Sequence, residues 1–192
     1  SYVSLLTSAA ASHPDVIYFG GVYANGGTLI RKQMESVSGL QNTTYAGGDG
    51  IQDISVAQAV GLSGGPIYAT VAAPDATKLS SAQTFIKDYE AKYGAVGPYS
   101  ATAFDAMNIL IQAVKQALTK THTPKDSNDS AQATVFRQAV IDALKTTSYD
   151  GATGHTTFDE NGDTTNKIFT IYQVAAVSGK PDWKAVAVVT VQ

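Results

Sequence analysis

The sequence predicts an α/β fold: a parallel, Rossmann-like sheet with flanking helices. Three observations predict it. Between Asp15 and Asp53 a short apolar run, a helix-forming run and a second short apolar run follow in order, which is the pattern of a βαβ unit. Both apolar runs stop at glycine-rich turns, Gly20-Gly21 and Gly47-Gly48-Asp49-Gly50. A third run of the same kind, Ile67 to Val71, follows a further helix signal. A βαβ crossover makes its two strands parallel and its connection right-handed, so both glycine-rich turns are expected at the carboxyl edge of one sheet. In open α/β sheets ligands bind at that edge.

Ser1 to His13 carries Val3, Leu5, Leu6 and Ala9 at helical spacing, and Pro14 is expected to end that helix. Val16 to Phe19 is rich in β-formers and reads as a buried strand. Thr28 to Val37 reads as a helix, with Leu29, Ile30, Gln33 and Val37 on one face and Gly39 as its C′ residue. Thr43 to Ala46 is the second strand, Asp53 to Val60 a short helix and Ile67 to Val71 the third strand. Ser80 to Tyr93 is a helix with Ala82, Phe85, Ile86 and Tyr89 toward a core. Tyr99 to Leu118 is the longest helix signal, with Ala103, Met107, Leu110, Ile111, Val114 and Leu118 forming a wide apolar face. Thr121 to Ser130 is polar and breaker-rich, a surface loop. Gln132 to Lys145 is a further helix, and Lys167–Ala176 and Trp183–Val191 read as a terminal antiparallel pair.

The chain has 192 residues, enough for a sizeable core, with 15% charged residues and a formal net charge of −3. No basic stripe is visible, so nucleic acid is not an expected partner. The absence of cysteine excludes disulfides, cysteine-ligated metal and a thiol nucleophile. No apolar run is long enough to span a membrane as a helix. The chain opens Ser-Tyr without a signal peptide, which suggests a processed or truncated product.

Several motifs fall short of the chemistry they resemble. Gly61-Leu62-Ser63-Gly64-Gly65 fits the nucleophile-elbow pattern, but the elbow needs a strand before its serine and a helix after it, and here the order is reversed. Gly21 to Thr28 has P-loop glycines with Gly27 at the lysine position, so no cation reaches a phosphate. Gly48-Asp49-Gly50 begins like a dinucleotide fingerprint but ends on Asp53, which would repel a pyrophosphate. Asp159 to Asp163 starts like a calcium loop without its later glycine and glutamate, and reads as a β-turn with Asn161-Gly162 at its tip. His155 has no second histidine nearby, so no metal and no cofactor are expected. What remains is the carboxyl edge, where Tyr23, Asn25 and Asp49 are placed to contact a ligand. Asp49 can be a capping or turn residue for the helix near Asp53, or a carboxylate that pairs with a ligand ammonium. The nearest cationic residue in sequence is Lys32.

IYFGGVYANGG, RKQM and GGDGIQD, then YGAVGPYSATAFDAMNILIQAV and YDGATGHTTFDENGD, resemble the second half of the leucine/isoleucine/valine-type solute-binding proteins of ABC transporters. That resemblance implies a type I periplasmic binding fold of which this chain is the C-terminal half. It implies a second-lobe βαβ segment over 1–75, a helical segment returning to the first lobe over 76–160, and terminal strands over 161–192. Crossovers between lobes are implied near Val71 to Thr77 and near Asp159. It implies that Asp49 holds the α-amino group of a ligand and that Tyr99 lines the pocket. Val22 stands at the position of a pocket tyrosine, with Tyr23 one residue beyond it. The implied activity is binding rather than catalysis: delivery of a small amino acid or related polar solute to a membrane permease, outside the cytoplasm, with the missing N-terminal half as the other partner. A ligand-sensing ectodomain with the same fold is the alternative, and a doubly wound enzyme a distant third.

Overall fold

The computed structural model describes residues 1–121 and 130–191, and it divides into two compact units. One comprises residues 1–74 and 168–192, the other residues 75–167. The expected polar loop at Thr121–Ser130, with His122, lies almost wholly outside the described residues.

The first unit is a five-stranded sheet with helices. Its elements are α1 (Val3–Ala10), β1 (Val16–Phe19), α2 (Gly27–Met34), β2 (Thr44–Gly47), α3 (Ile54–Val60) and β3 (Ile67–Val71). The second unit supplies α4 (Gln83–Tyr93), α5 (Ser100–Lys120), α6 (Ser130–Lys145), β4 (Tyr149–Gly151) and β5 (Gly154–Thr156). The chain then completes the first sheet with β6 (Ile168–Val177) and β7 (Lys180–Thr190). The strand order is β1-β2-β3-β6-β7. β1, β2 and β3 are parallel neighbours, as the βαβ pattern predicts, while β6 and β7 run antiparallel. The β6–β7 hairpin turns through Ser178 and Gly179, with φ of 49° and 78°. Positive φ at both central residues is the type I′ geometry, whose twist matches the flanking strands. Pro181 sits inside β7, which is tolerated because β7 is an edge strand.

Side chains alternate across the sheet. Ile17, Phe19, Tyr45, Ile67, Ala69, Val71, Tyr172 and Trp183 share one apolar cluster with Leu6, Met34, Val56, Ala57 and Val60 from α1, α2 and α3. The opposite face behaves differently. Val16 is 51% and Tyr18 65% exposed, and Thr70 is exposed. Parallel strands are ordinarily buried on both faces, so this face lacks the second layer such a sheet usually carries.

Helix boundaries depart from expectation in two places. α2 ends at Met34 rather than Val37, so Gly39, with φ of +90°, serves a later turn and not the helix C′ position. α1 ends at Ala10, ahead of Pro14, and buries Leu6 while Leu5 stays 67% exposed. A larger correction concerns α5. Its buried stripe is Ala101, Asp105, Ile109, Ala113 and Ala117, at a strict spacing of four. The apolar face expected to pack is open instead, with Met107 57% and Leu110, Ile111 and Leu118 each more than 40% exposed. Small residues at every fourth position let a neighbouring helix approach closely, and α6 is the helix with which α5 pairs.

Two buried charges organise the units. Arg31 on α2 is fully buried; its Nη2 donates to the carbonyls of Ser63 (2.8 Å) and Gly65 (3.2 Å), and its Nη1 to Glu35 Oε1 (3.1 Å). It thereby fixes the Gly61–Pro66 loop to α2. Burial pushes the Tyr45 hydroxyl well above the usual phenol range, opposed by the nearby Arg31 charge. In the second unit, Asp105 accepts from Ala152 N (2.9 Å) through Oδ1 and from Thr153 N (2.7 Å) and Thr153 Oγ1 (2.6 Å) through Oδ2. A Cβ at Gly151 would lie 2.4 Å from that carboxylate, so the glycine is required for its close approach. Burial, then the Asp105 charge, raises the Tyr149 hydroxyl pKa, against a hydrogen bond from Asn108.

Both clamps give stability predictions. Arg31→Ala leaves two loop carbonyls without their donor and should cost about 3 kcal/mol. Glu35→Ala should cost less than about 1 kcal/mol, because Glu35 is 38% exposed. Urea denaturation followed by circular dichroism checks both, and equal losses would show that the ion pair, not the carbonyl contacts, carries the effect. Asp105→Ala strands two backbone donors and a hydroxyl, with an expected loss of about 2–4 kcal/mol in the helical melting signal, and Asp105→Asn should fall between it and the native protein.

Candidate functional site

The site is built from the turns that follow β1 and β2. Phe19 and Gly47, the last residues of the two strands, are register partners, so both turns leave the sheet at the same level. After β1 the chain passes Gly20, Gly21 and Val22 into a short 3-10 turn, Tyr23–Asn25. Gly26 follows with φ of +109°, and a Cβ there would meet the Tyr2 ring. After β2, Gly48 leads to a second 3-10 turn, Asp49–Ile51, which buries Ile51 completely. Asp53 then caps α3, its carboxylate accepting from Ser55 N at 2.8 Å and from the Ser55 hydroxyl. The helix cap is therefore Asp53; Asp49 instead opens the 3-10 turn.

The two turns abut. A Cβ at Gly50 would lie 2.5 Å from the Gly21 carbonyl and 3.0 Å from the Val22 side chain. Val22, Tyr23 and Asp49 are thus gathered on one edge and all three are exposed, Val22 at 44% and Tyr23 at 41%. Tyr99 belongs to the second unit, where it is the residue that precedes α5.

The glycines at this edge divide into two kinds. They differ in what fills the space a side chain would take. Gly21 faces the Phe19 ring, Gly27 faces Phe19 and Ile51, Gly47 faces Ile51 and the Phe19 carbonyl, and Gly50 faces the neighbouring turn. These four are glycine because the protein packs there. Gly20 and Gly48 are open, and the one atom within 4 Å of either Cβ position belongs to Tyr18, at 3.8 Å in both cases. Tyr18 did not stand out in the sequence, since a tyrosine inside a strand signals only β-propensity.

The chemistry available at the edge is recognition: a carboxylate, phenol hydroxyls, an apolar side chain and exposed backbone. Ser63 does not form a nucleophile elbow, because α3 precedes it and β3 follows, and its hydroxyl lies 3.4 Å from Glu35 Oε1. Among the described residues no group of three or more His, Cys, Asp or Glu side chains could hold a metal ion. Asp159 is used locally, accepting through Oδ1 from Asn161 N and Asp163 N at 2.9 Å each. Those backbone bonds, first that of Asp163, hold its pKa below the usual carboxylate value, with Lys167 adding to the effect. His155 Nδ1 pairs with Asp150 Oδ1 at 2.6 Å on an exposed hairpin. No helix among the described residues is long and apolar enough to cross a membrane.

Comparison with known proteins agrees with this architecture. A Leu/Ile/Val-binding protein, BraC3, from Rhizobium johnstonii is 29% identical over 178 residues, covering 90% of this chain and 42% of the relative. The leucine-binding protein LivK of Thermotoga maritima superposes with a TM-score of 0.71 at 23% identity, covering 99% of this chain and 49% of that one. An ABC transporter solute-binding protein of Rhodopseudomonas palustris, solved with 3,4-dihydroxybenzoic acid, gives a TM-score of 0.67 at 16% identity, with 99% and 49% covered. The chain thus spans about half the length of these relatives, which matches the expected C-terminal half of a type I periplasmic binding fold. The sequence profile of the family described as periplasmic binding protein matches residues 1–180, and the chain belongs to that family.

Proposed function

We propose that this chain is the C-terminal half of an extracytoplasmic solute-binding protein that delivers a small amino acid, or a related polar solute, to an ABC transporter permease. The observation that carries the proposal is the pair of abutting glycine-rich turns at the parallel edge, with Asp49 exposed beside Val22 and Tyr23. A carboxylate at such an edge suits a ligand ammonium, and Val22 supplies an apolar wall. By resemblance to the family, Tyr99 is a further pocket-lining aromatic. The residues 1–75 are a second-lobe segment, 76–160 a segment returning to the first lobe and 161–192 the terminal strands. The sheet face bearing Val16 and Tyr18 and the open face of α5 are seats for the other half of the fold. A role in sensing rather than transport uses the same site, and a neighbouring permease or signalling domain in the gene decides between them. No cofactor and no catalytic group enters this function.

Two measurements test it. Calorimetry of the 192-residue chain with the standard amino acids should give millimolar affinity or weaker, since the enclosure of a ligand needs both halves of the cleft. Micromolar binding would contradict the half-cleft assignment. In the polypeptide extended to both halves, Asp49→Asn should weaken an amino-acid ligand about tenfold or more, as the loss of a charged hydrogen bond of about 1.5–3 kcal/mol requires. Its unliganded melting temperature should barely change if the role of Asp49 is purely functional. Lost stability with unchanged affinity would make Asp49 a turn residue, and unchanged affinity for an aromatic acid lacking an amine would keep the site and change the solute class.

A further inference from the structure

Two asparagines in the chain are followed by glycine, Asn25 and Asn161. An asparagine in that setting is open to an intramolecular reaction. The backbone nitrogen of the next residue gives its proton to hydroxide, attacks the side-chain Cγ and displaces ammonia. The new N–Cγ bond closes a five-membered succinimide. Water then adds to either ring carbonyl and opens it to aspartate or isoaspartate. One amide and one water are consumed, and one carboxylate and one ammonium are released. Glycine favours the attack because no Cβ obstructs the nitrogen.

The structure separates the two asparagines. Asn25 ends the 3-10 turn that runs into α2. Gly26 N donates to the Tyr23 carbonyl at 3.2 Å, and the Gly26 carbonyl accepts from Ile30 N at 2.8 Å. The Asn25 carbonyl accepts from the Tyr2 hydroxyl at 3.4 Å, and the Tyr2 ring fills the Cβ position of Gly26. Turning the Asn25–Gly26 peptide toward Cγ therefore breaks the first turn of α2. Asn161 stands instead at the tip of a surface turn closed by the Phe158–Thr164 bridge. Residues 160–165 are all exposed, and the Cβ position of Gly162 has nothing within 4 Å. Gly162 N donates to the Asp159 carbonyl at 3.0 Å, a surface bond whose opening strands no buried group. From Asp159 to Lys167 no side chain is apolar, so this turn offers the other half of the fold no seat.

We propose that Asn161 is a site of non-enzymatic modification, converting to aspartate and isoaspartate at its bond to Gly162, while Asn25 beside the candidate ligand edge is spared by the fold. Isoaspartate lengthens the backbone of the turn by one methylene, between the two amides of Asn161 and Asp163 that Asp159 Oδ1 holds at 2.9 Å each. Either product adds a carboxylate to a turn that already carries Asp159, Glu160 and Asp163 and has the Lys167 ammonium 3.6 Å from Asp159 Oδ2.

The test is to hold the folded 192-residue chain at physiological temperature in mildly acidic and in alkaline buffer, then map its peptides by mass spectrometry and label isoaspartate with an isoaspartyl methyltransferase. The peptide containing Asn161 should gain the mass of an Asn-to-Asp exchange, faster in alkaline buffer, and carry most of the label. The Asn25 peptide should convert about tenfold more slowly, because α2 must open first. In the chain unfolded in urea the two should convert at similar rates. Asn161→Gln should remove the label and keep the native circular dichroism, since the residue is exposed. Equal conversion of both asparagines in the folded chain, or faster conversion of Asn25, would overturn the assignment. So would an Asn161 that stays intact in the folded chain while it converts in urea.

Discussion

Because β1 and β2 run parallel and in register, the chain must leave both strands at the same edge and return underneath through α2. Everything at the candidate site follows from that constraint. An antiparallel pair would have put one glycine-rich turn at each end of the sheet. Parallel pairing sets Gly20–Val22 against Gly48–Gly50 instead, close enough that a single methyl at Gly50 would strike the opposite turn. The burial of Ile51 and the Asp53 cap then hold the second turn from its far side, so Asp49 is presented by a loop anchored at both ends. Functional side chains on loops need such a rigid support to hold their geometry.

The glycines show how one composition signal can carry two unrelated demands. Most of those around the edge are forced by packing, where Phe19 and Ile51 occupy the volume a side chain would need. Gly20 and Gly48 are not forced in that way, and the ring beside them belongs to an exposed residue. A sequence pattern alone cannot separate the two kinds, because both read as a tight turn. The distinction requires knowing which atoms stand within contact distance of each missing Cβ.

Much of the fold was legible because its signals are local. The apolar runs Val16–Phe19 and Ile67–Val71 matched the strands residue for residue, and the terminal antiparallel pair was legible, although β7 begins at Lys180 rather than Trp183. The packed face of α5 was not legible. Its sequence offers two candidate stripes, one bulky and apolar and one built from alanines around Asp105, and periodicity favours the bulky one. The alanine stripe is the buried one, with Ala101 clustered beside Ala76, Ala82 and Ala152 and the Asp105 carboxylate holding the β4–β5 turn. Arg31 was hidden for a related reason: an arginine on a helix reads as solvated, and the distant carbonyls of Ser63 and Gly65, with Glu35, make its burial tolerable. At the candidate edge, Asp49 and Tyr23 could be placed from their turns, and Val22 from the family resemblance.

The chain has a single tryptophan, Trp183, which is buried on β7 and donates through Nε1 to the Asp53 carbonyl at 2.8 Å. Asp53 is the residue that closes the turn begun at Asp49. An indole hydrogen-bonded to that carbonyl is an intrinsic optical probe. Any displacement of the Asp49–Asp53 segment stretches or breaks the bond and changes the polarity around the ring, and with it the emission. This chain thus carries, one hydrogen bond from its candidate site, a fluorophore whose signal no second tryptophan among its 192 residues dilutes.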